Sequence, residues 1–247
     1  MKRKTVLTLA LIVLCVRSFS QDADEILKKV DERRAVGSSF SFTLKVDDYS
    51  KGILSDSAVM NGHAKGMDKT MVQYEEPANM KGKKLLMVRD EMFIFVPKTQ
   101  RPVRLTPSQR LMGQASNGDV MNVRFQSDYK PELTGDETIE TQNGRKNCLI
   151  LTLTAKRRGS TYNRIVLWVE KETCFPVKAD CYALSGKLLK TIEYSLIKEF
   201  EGKKIVSKAT ICDKVTRDTY TVIEFLDMQT DDTPDSYFNK EYLLRMH

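Results

Sequence analysis

The 247-residue sequence predicts a mainly β fold (α+β) in which about eleven strands form one long antiparallel meander. Two observations lead to this prediction. Apolar and polar residues alternate with a period of two in successive segments, from SFSFTLKV near the start to TYTVIEFLDM near the end. Tight turns such as Asn143-Gly144, Ser185-Gly186 and Glu201-Gly202 separate these segments. Because short turns join antiparallel neighbours, the strands should follow one another across a single sheet.

Helices are predicted at the two ends of the chain. Asp22 and Glu25 have the spacing of a capped helix start. An apolar stripe at helical spacing follows, made of Ala23, Ile26, Leu27 and Val30. Near the C-terminus, Thr233-Pro234 predicts a cap and a first-turn proline. The last helix would carry Tyr237, Phe238, Tyr242, Leu243 and Leu244.

Residues 1–20 have the pattern of a secretory signal peptide. Three basic residues at positions 2–4 precede a short apolar run, and small residues follow before Ser20. Cleavage near Ser20 would leave residues 21–247, which we interpret as one domain because no linker, repeat or low-complexity tract interrupts them. Cys15 raises the alternative of a lipid anchor, but Leu14 stands where that processing prefers a small residue. Soluble export is therefore the favoured interpretation.

The charge of the chain gives no support for a nucleic-acid partner. The formal net charge is +7, and four basic residues lie in the leader (Lys2, Arg3, Lys4 and Arg17), which leaves +3 after its removal. The four remaining cysteines are predicted to be free and mostly buried thiols. Cys181 and Cys212 would lie two strands apart, about 9 to 10 Å, which exceeds the reach of a disulfide.

The sequence lacks the residues that common catalytic and metal sites need. It holds two histidines, His63 within a predicted strand and His247 at the end, which argues against His-based metal sites and Ser-His-Asp catalysis. The carboxylate pair Asp47-Asp48 cannot work as acid and base from one face of a strand, because neighbours in a strand point to opposite sides. We expect no enzyme activity, no metal and no cofactor.

The middle of the chain carries more apolar surface than a half-buried sheet requires. In KKLLMVRDEMFIFVP both faces of two strands are apolar, so both faces should be covered. Eight of the eleven methionines lie between residues 60 and 121, and flexible thioethers suit surfaces that fit variable apolar partners. One of the covers could therefore be an apolar ligand, although methionines that simply fill the core explain the same pattern.

The segment RLTPSQRLMGQASNGD, residues 104–119, follows these strands. Thr106, Pro107, Gln109 and Gly113 have the order of a helix cap, first-turn proline, capping-box partner and helix stop, which predicts a short helix over 107–112. This helix would present Leu111 and Met112. The same residues fit a movable lid over a cavity and a static plug of the core.

The chain resembles the LolA-like family of periplasmic outer-membrane lipoprotein-sorting proteins. The matching pieces are ADEILKKVDERR, the block from KGMDKTMVQYEEP to RLMGQASNGD, STYNRIVLWVEKETCFPVKADCYALSGKLLKTIEY, and PDSYFNKEYL. The resemblance implies one curved antiparallel sheet that forms an incomplete (half) β-barrel, with helices covering its concave face. In the family's better-known carrier an arginine after the second strand holds the lid helices closed. Gly66 takes its place here, so the same latch is not implied.

The resemblance and the residue patterns together predict a periplasmic carrier that binds acyl chains of lipoproteins or phospholipids in an apolar cavity, for transfer toward the outer membrane. Its partners would be an inner-membrane exporter and an outer-membrane acceptor, and the protein would be a monomer. The alternative is an envelope sensor of the same fold that signals to a membrane partner. The predicted cavity lining comprises Phe40, Phe42, Leu44, Val72, Leu86, Val88, Phe93, Phe95, Leu111, Met112, Leu149, Leu151, Leu153, Ile165, Leu167, Ile223 and Phe225. The face assignment depends on register, because a slip of one residue turns a whole strand over.

Overall fold

Strands dominate the protein, which a computed structural model describes over residues 23–245, apart from 67, 90, 98, 100, 122–123 and 214–217. One antiparallel sheet has thirteen strands, where about eleven were expected, and a separate pair has two. The main sheet contains β1 (Ser39–Ser50), β2 (Ile53–Lys65), β3 (Lys69–Glu76), β4 (Lys84–Val88), β5 (Glu91–Phe95), β6 (Val103–Leu105), β9 (Tyr129–Thr141), β10 (Gly144–Ala155), β11 (Arg164–Glu170), β12 (Pro176–Tyr182), β13 (Leu188–Phe200), β14 (Lys203–Asp213) and β15 (Thr219–Thr230). The separate pair is β7 (Arg110–Met112) and β8 (Ala115–Ser116).

The order of strands confirms the meander. It runs β6-β5-β4-β3-β2-β1-β15-β14-β13-β12-β11-β10-β9, so neighbours in the chain are neighbours in the sheet and β15 closes back onto β1. Among the described residues, β6 and β9 each have a partner on one side only, so the sheet is open. The expected mainly β architecture with few helices is therefore observed, with two additional strands in the sheet.

The inner face of the sheet is defined here by a row of side chains paired across neighbouring strands. Direct register partners link Ile211, Ile192, Ala179, Leu167, Leu151 and Leu133. On the other half of the sheet the corresponding row is Phe42, Gly62, Val72, Leu85 and Ile94. Apart from Gly62, both rows belong to one hydrophobic cluster, which contains most of the buried apolar residues of the described chain.

Gly62 is part of this packing because the Phe42 ring lies directly over it. A Cβ at Gly62 would come within 2.3 Å of that ring. The ring in turn contacts Phe225 edge to face, with centroids 5.5 Å apart. An aromatic side chain on one strand therefore covers the glycine of its neighbour, which lets the aromatic pair pack against the sheet.

Helix α1, residues 23–32, packs into the same cluster as the inner face. Ala23, Leu27 and Val30 are fully buried and Ile26 is partly buried, which confirms the predicted stripe. Helix α2 (Asn117–Met121) contributes Val120 and Met121 to the cluster. The apolar side of each helix is thereby removed from water, which stabilises the fold. The predicted Asp22 cap, the signal peptide and Cys15 lie outside the described residues.

The outer face of β3 and β4 is covered by the C-terminal segment. Residues Asp235–Phe238 form a 3-10 helix and Lys240–Arg245 form α3. Phe238 packs with Met71 and Leu86, and Tyr237 and Val88 border this small cluster. The strands predicted to be covered on both faces are β4 and β5, and the prediction is confirmed for β4. Its outer cover is part of the chain itself.

The C-terminal helix differs from its prediction, because the structure divides it at Asn239, whose backbone is extended. Pro234 precedes the first helical turn, but Thr233 does not cap it with its side chain. Its hydroxyl donates to Asp231 Oδ2 at 2.7 Å and lies 2.8 Å from His63 Nδ1. Binding to β2 has therefore replaced the local cap.

The four cysteines of the described chain are free thiols, as predicted. Cys148 and Cys181 are buried, and Cys174 and Cys212 are partly buried. Cys181 is the register partner of Lys190, and Cys212 is the partner of the adjacent Thr191. The two cysteines thus lie two strands apart at nearly the same level, with β13 between them.

Candidate functional site

The segment 106–121 crosses the inner face, but it does not form the helix predicted over 107–112. Pro107 and Ser108 form a turn, β7 and β8 form a hairpin, and α2 begins at Asn117. The Gln109 side chain does accept a hydrogen bond from the Thr106 backbone N–H at 2.6 Å, as a capping box requires. This local signal closes only a turn, because β7 pairs with β8 through Arg110 and Ser116. The short helix was therefore predicted about ten residues too early.

The real helix start is the sequence Ser116 to Asp119. Asp119 Oδ2 accepts hydrogen bonds from both the backbone N–H and the hydroxyl of Ser116, each at 2.8 Å. This contact satisfies the backbone N–H of Ser116 at the N-terminus of α2. The spacing Ser-x-x-Asp was present in the sequence and could have been used to predict the helix start.

Asp119 also joins the segment to the sheet. Lys190 on β13 donates to Asp119 Oδ2 at 3.1 Å, and the side chains are 15% and 5% exposed. The Tyr162 hydroxyl donates to Asp119 Oδ1 at 2.6 Å. Burial raises the pKa of Tyr162, and the nearby Asp119 carboxylate raises it further. One buried carboxylate therefore holds α2, β13 and the β10–β11 connection together.

The tip of the β7–β8 hairpin makes a second contact with the sheet. The Gln114 backbone N–H donates to Thr221 Oγ1 at 2.6 Å, and its side-chain amide donates to Thr219 Oγ1 at 3.1 Å. Gly113 has a φ of +51°, and a Cβ there would lie 1.9 Å from Asp48 Oδ1. The hairpin tip therefore lies against the ends of β1 and β15, and only glycine fits its close approach.

Residues 124–126, which follow the segment, are tied to α1. The backbone N–H groups of Phe125 and Gln126 donate to the two carboxylate oxygens of Asp31 at 2.8 and 2.9 Å. Burial raises the pKa of Asp31, while Arg34 and these hydrogen bonds act in the opposite direction. Arg124 donates to the backbone carbonyls of Gly66 and Gly37. Arg124 thus binds the backbone of Gly66, the position where the family's better-known carrier has its latch arginine.

A cavity of about 80 Å³ lies between segment 106–121 and the inner face of the sheet. Two tyrosines and the α2 backbone line one side, and apolar residues of β11 to β15 line the other. Its walls include Gly118, Val120, Phe125, Tyr129, Tyr162, Ile165, Ala179, Cys181, Ile192, Tyr194, Ala209, Ile211, Ile223 and Phe225. Burial raises the pKa of Tyr129, Tyr194 and Cys181, so these groups are uncharged and the wall is largely apolar.

Polar groups also reach the cavity. Arg34, Asp119 and Lys208 are part of its lining. Arg34 Nη1 is buried and makes no hydrogen bond to the described residues. It lies 3.6 Å from Asp31 Oδ1, and the guanidinium group stacks 4.1 Å from the centre of the Phe125 ring. The cavity therefore has a cationic group with unused hydrogen-bonding capacity beside its apolar wall.

The structure brings most of the predicted lining residues to the inner face. Ile165, Ile223 and Phe225 line the cavity directly. Leu111 and Met112 pack against the inner cluster from β7, and Leu149 is partly buried beside Val169 on the same face. Others belong to the inner cluster without lining the cavity: Phe40, Phe42, Leu44, Val72, Leu151, Leu153 and Leu167.

Leu86, Val88, Phe93 and Phe95 lie on the outer face, which corrects their predicted assignment. Val72 pairs with Leu85, and Leu85 pairs with Ile94, so their neighbours in sequence point the other way. The inner positions belong to Leu85, Met87, Met92 and Ile94. Both faces of these strands are apolar, so the sequence pattern could not distinguish inward from outward.

Sequence reasoning missed the polar and aromatic part of the cavity. Arg34 follows α1, Tyr129 begins β9, and Tyr162 lies in the β10–β11 connection, so no common period relates them. Tyr194 was in a recognised strand and could have been found by extending its alternation. The other three meet only because α1 and the β10–β11 connection fold over the same face.

No metal centre is formed by the described part of the chain, where no group of three His, Cys, Asp or Glu side chains has a suitable arrangement. His63 is partly exposed on β2, and its Nδ1 lies 2.8 Å from Asp231 Oδ2. Its ring stacks edge to face on Tyr237, 5.6 Å between centroids. These contacts hold the C-terminal segment against the sheet.

A second, wider groove of about 980 Å³ is open and more polar. Residues of the outer face that lie in register across neighbouring strands line it, including Lys178, Glu193 and Thr210. Charged side chains cross its floor. The cavity on the inner face has the more apolar lining and is therefore the better candidate for an apolar ligand.

The fold and the cavity together define an open antiparallel sheet with a buried, mainly apolar site under a covering segment. A LolA superfamily protein from Nitrosomonas europaea has the same fold, with a TM-score of 0.82 and 32% sequence identity, over 89% of this chain and 98% of that one. The chain therefore belongs to the LolA superfamily. A family model described as "Uncharacterized protein" matches residues 66–245.

Two more distant structures share the fold. A DUF1329 family protein from Desulfovibrio piger has a TM-score of 0.75 at 21% identity, over 91% of this chain and 99% of that one. A domain described for outer membrane lipoprotein sorting, from Vibrio parahaemolyticus, has a TM-score of 0.74 at 18% identity, over 92% and 100%. The sequence has no match among curated proteins. Within the described residues, no helix is long and apolar enough to cross a membrane.

Proposed function

We propose that this protein is a non-enzymatic carrier, exported to the periplasm, which binds acyl chains of lipoproteins or phospholipids under the segment 106–121. Membership in the LolA superfamily supports lipid or lipoprotein binding. In this proposal the sheet is the curved, incomplete barrel of that family, with α1 and α2 over its concave side. An inner-membrane exporter would load the carrier and an outer-membrane acceptor would unload it.

The observation that carries the proposal is a buried apolar cavity whose cover is held by a few polar contacts. The cavity of about 80 Å³ is roughly half the size of the ~150 Å³ cavity that holds one benzene molecule. A long acyl chain therefore does not fit while segment 106–121 is in place. Binding requires this segment to move away from the inner face, which would expose the apolar residues of β11 to β15.

The free energy of binding would come mainly from burial of the acyl chain. Each buried methylene contributes about 0.8 kcal/mol, so a long chain binds tightly without polar contacts. Arg34 would add direction, because its Nη1, which makes no hydrogen bond to the described residues, can donate to a carbonyl or carboxylate oxygen at the end of the chain. Segment 106–121 is then a lid that closes over the bound chain.

Native mass spectrometry of gently purified protein, with uptake of a fluorescent fatty acid from solution, tests binding. We expect a co-purified lipid or saturable uptake in the wild type. Ala209→Phe places a ring in the cavity and should reduce uptake at least tenfold, while Ala78→Phe, on an exposed turn, should not change it. No co-purified lipid and no uptake by the folded wild type would refute the proposal.

A reversible crosslink tests whether the lid moves. A Cβ at Gly118 would lie 2.9 Å from Thr161 Cβ, which is shorter than the ~3.5–4.5 Å of a disulfide, so a small outward shift of α2 would let a cysteine pair bond here. The double variant Gly118→Cys/Thr161→Cys should stop fatty-acid uptake when oxidised and recover it when reduced. Equal uptake in both states, with the crosslink verified by mass, would show that segment 106–121 is a static part of the core.

A further inference from the structure

Three hairpin connections at one end of the sheet have an unusual composition. They join β1 to β2 (51–52), β10 to β11 (156–163) and β12 to β13 (183–187). We call them the basic hairpin end. Because the strands alternate in direction, all three lie at the same end of the sheet, where β14 ends at Asp213 and β15 begins at Thr219 between them.

The connections at the two ends of the sheet differ in their charged residues. The three connections contain five Lys or Arg residues and no acidic residue: Lys51, Lys156, Arg157, Arg158 and Lys187. At the other end, the described residues of the connections 66–68, 89–90, 142–143, 171–175 and 201–202 include two basic and three acidic ones: Arg89, Lys171, Asp68, Glu172 and Glu201. Basic connections are therefore concentrated at one end of the strands.

The basic hairpin end also exposes large aliphatic side chains. Leu184 at the β12–β13 tip is 85% exposed, and Ile53 and Leu54 beside the β1–β2 tip are 73% and 48% exposed. Lys51 and Gly52 have φ values of +52° and +77°, as in a type I′ turn, which makes this tip a tight and well-defined projection. Four strand spacings separate the two tips, about 19 Å.

We propose that the basic hairpin end docks on an anionic lipid bilayer. Cations near a membrane surface are attracted by anionic headgroups, and single aliphatic side chains can insert at the boundary between headgroups and acyl chains. A protein partner would need one contiguous apolar patch of complementary shape. Apolar points separated by about 19 Å and surrounded by cations fit a bilayer better.

Docking at this end would also bring the membrane to the lid. The lid hairpin tip is bound to Thr219 and Thr221 through Gln114, and Thr219 begins β15 at this end of the sheet. A surface bound to the basic hairpin end is thus adjacent to contacts that must break when the lid opens. This step of the inference rests on the proposed carrier function, while the docking itself does not.

Co-sedimentation with vesicles tests the docking. The wild type should bind vesicles of phosphatidylcholine mixed with phosphatidylglycerol, bind pure phosphatidylcholine at least tenfold more weakly, and lose binding as salt is raised. The charge-reversal variant Lys51→Glu/Arg158→Glu/Lys187→Glu should lower the partition coefficient at least tenfold. A matched variant at the opposite end, Arg89→Glu/Lys171→Glu/Lys204→Glu, should leave it within about twofold of the wild type.

The apolar tips are tested separately with Ile53→Ser/Leu184→Ser, which leaves the cations in place and should lower binding to the anionic vesicles at least threefold at low salt. Leu226→Ser, an exposed leucine in the middle of β15, is its control. The proposal would be overturned by equal binding to both vesicle types or by no binding at all. An equal loss of binding with both charge-reversal variants would overturn it as well. Absence of vesicle binding combined with a crosslink from Lys51 or Lys187 to one envelope protein would indicate a protein partner instead.

Failure of docking can be distinguished from failure of the carrier function. The docking variants should take up fluorescent fatty acid from solution at the wild-type rate, because none of them lines the cavity. Their transfer of the same fatty acid from anionic vesicles should be slower. Vesicle binding without any uptake from solution would refute the carrier and leave the docking proposal intact.

Discussion

Two segments outside the main sheet cover apolar strands, and they do so in different ways. The C-terminal segment covers the outer face of β3 and β4 with a small cluster of Phe238, Met71 and Leu86, and its ion pairs are exposed. Segment 106–121 covers the inner face of β11 to β15, leaves a cavity, and is fixed by the buried group Asp119, Lys190 and Tyr162.

The kind of contact that holds each cover distinguishes a fixed cover from a movable one. Phe238 packs directly on Met71 and Leu86, so its removal exposes these residues of the sheet to water. The polar ties of segment 106–121 can be exchanged for water, and an acyl chain can replace the apolar contacts that the segment gives up. We therefore expect changes in the two covers to have different effects on stability and on lipid exchange.

The largest effect is expected for Asp119→Asn. This change leaves the Lys190 ammonium group buried beside a neutral amide, and loss of one partner of a buried pair costs about 3–5 kcal/mol. The free energy of unfolding, measured with urea, should fall by this amount, and fatty-acid exchange should become faster. Asp136→Asn removes a carboxylate from the exposed pair with Lys171, so it should change stability by less than about 1 kcal/mol. Equal effects of the two variants would contradict the role given to Asp119.

Phe238→Ala should destabilise the protein by about 3 kcal/mol, because it empties the centre of the outer cluster. Unlike Asp119→Asn, it should leave fatty-acid exchange at the wild-type rate. Urea unfolding and the uptake assay measure the two quantities. Phe238→Leu keeps most of the packing and should lose about half as much stability. A change of exchange rate in both Phe238 variants would show that the two covers are coupled.

Gly62→Ala should cost about 1–3 kcal/mol, because the new methyl group would overlap the Phe42 ring. Phe42 would have to shift against Phe225, which lines the cavity, so uptake of fatty acid should also be weaker. Gly135→Ala is the control, since its Cβ would lie 3.9 Å from Ile150, an ordinary contact. Thermal unfolding that does not distinguish these two variants would mean that the Phe42 ring can move freely.

The smallest effect concerns pH and the C-terminal cover. Burial raises the pKa of Asp231, but hydrogen bonds from Thr233 and His63 outweigh it and hold the pKa below its ordinary value of 3.8. The unfolded state therefore binds the proton more readily, and stability from this group is present above pH 3.8 and lost as the pH falls through the folded pKa.

Asp231→Asn should accordingly reduce the free energy of unfolding by up to about 1 kcal/mol near neutral pH. The difference from the wild type should shrink as the pH falls below 3.8. Urea titrations at neutral pH and near the folded pKa measure it, with Asp227→Asn, an exposed strand residue, as the control. A difference that grows on acidification would show that the hydrogen bonds do not stabilise the carboxylate.

The antiparallel meander and the apolar stripe of α1 could be predicted from the sequence. The same is true of inner residues in strands with clean alternation, such as Phe40, Phe42 and Leu44. These features depend on local periodicity and on turn residues, which act over a few positions. The inner and outer faces of β4 and β5 could not be predicted, because apolar residues lie on both faces of these strands. They follow from tertiary pairing, in which Val72 pairs with Leu85 and places it on the inner face.

Tertiary contacts also decided the form of the covering segment and the polar part of the cavity. The Thr106 to Gln109 capping signal produced a turn, because pairing of Arg110 with Ser116 stabilises a hairpin that crosses the sheet. Asp119, Tyr162 and Lys190 are distant in sequence, and nothing in their local patterns relates them. They come together because burial leaves a carboxylate no water to bind, so the fold must supply its partners.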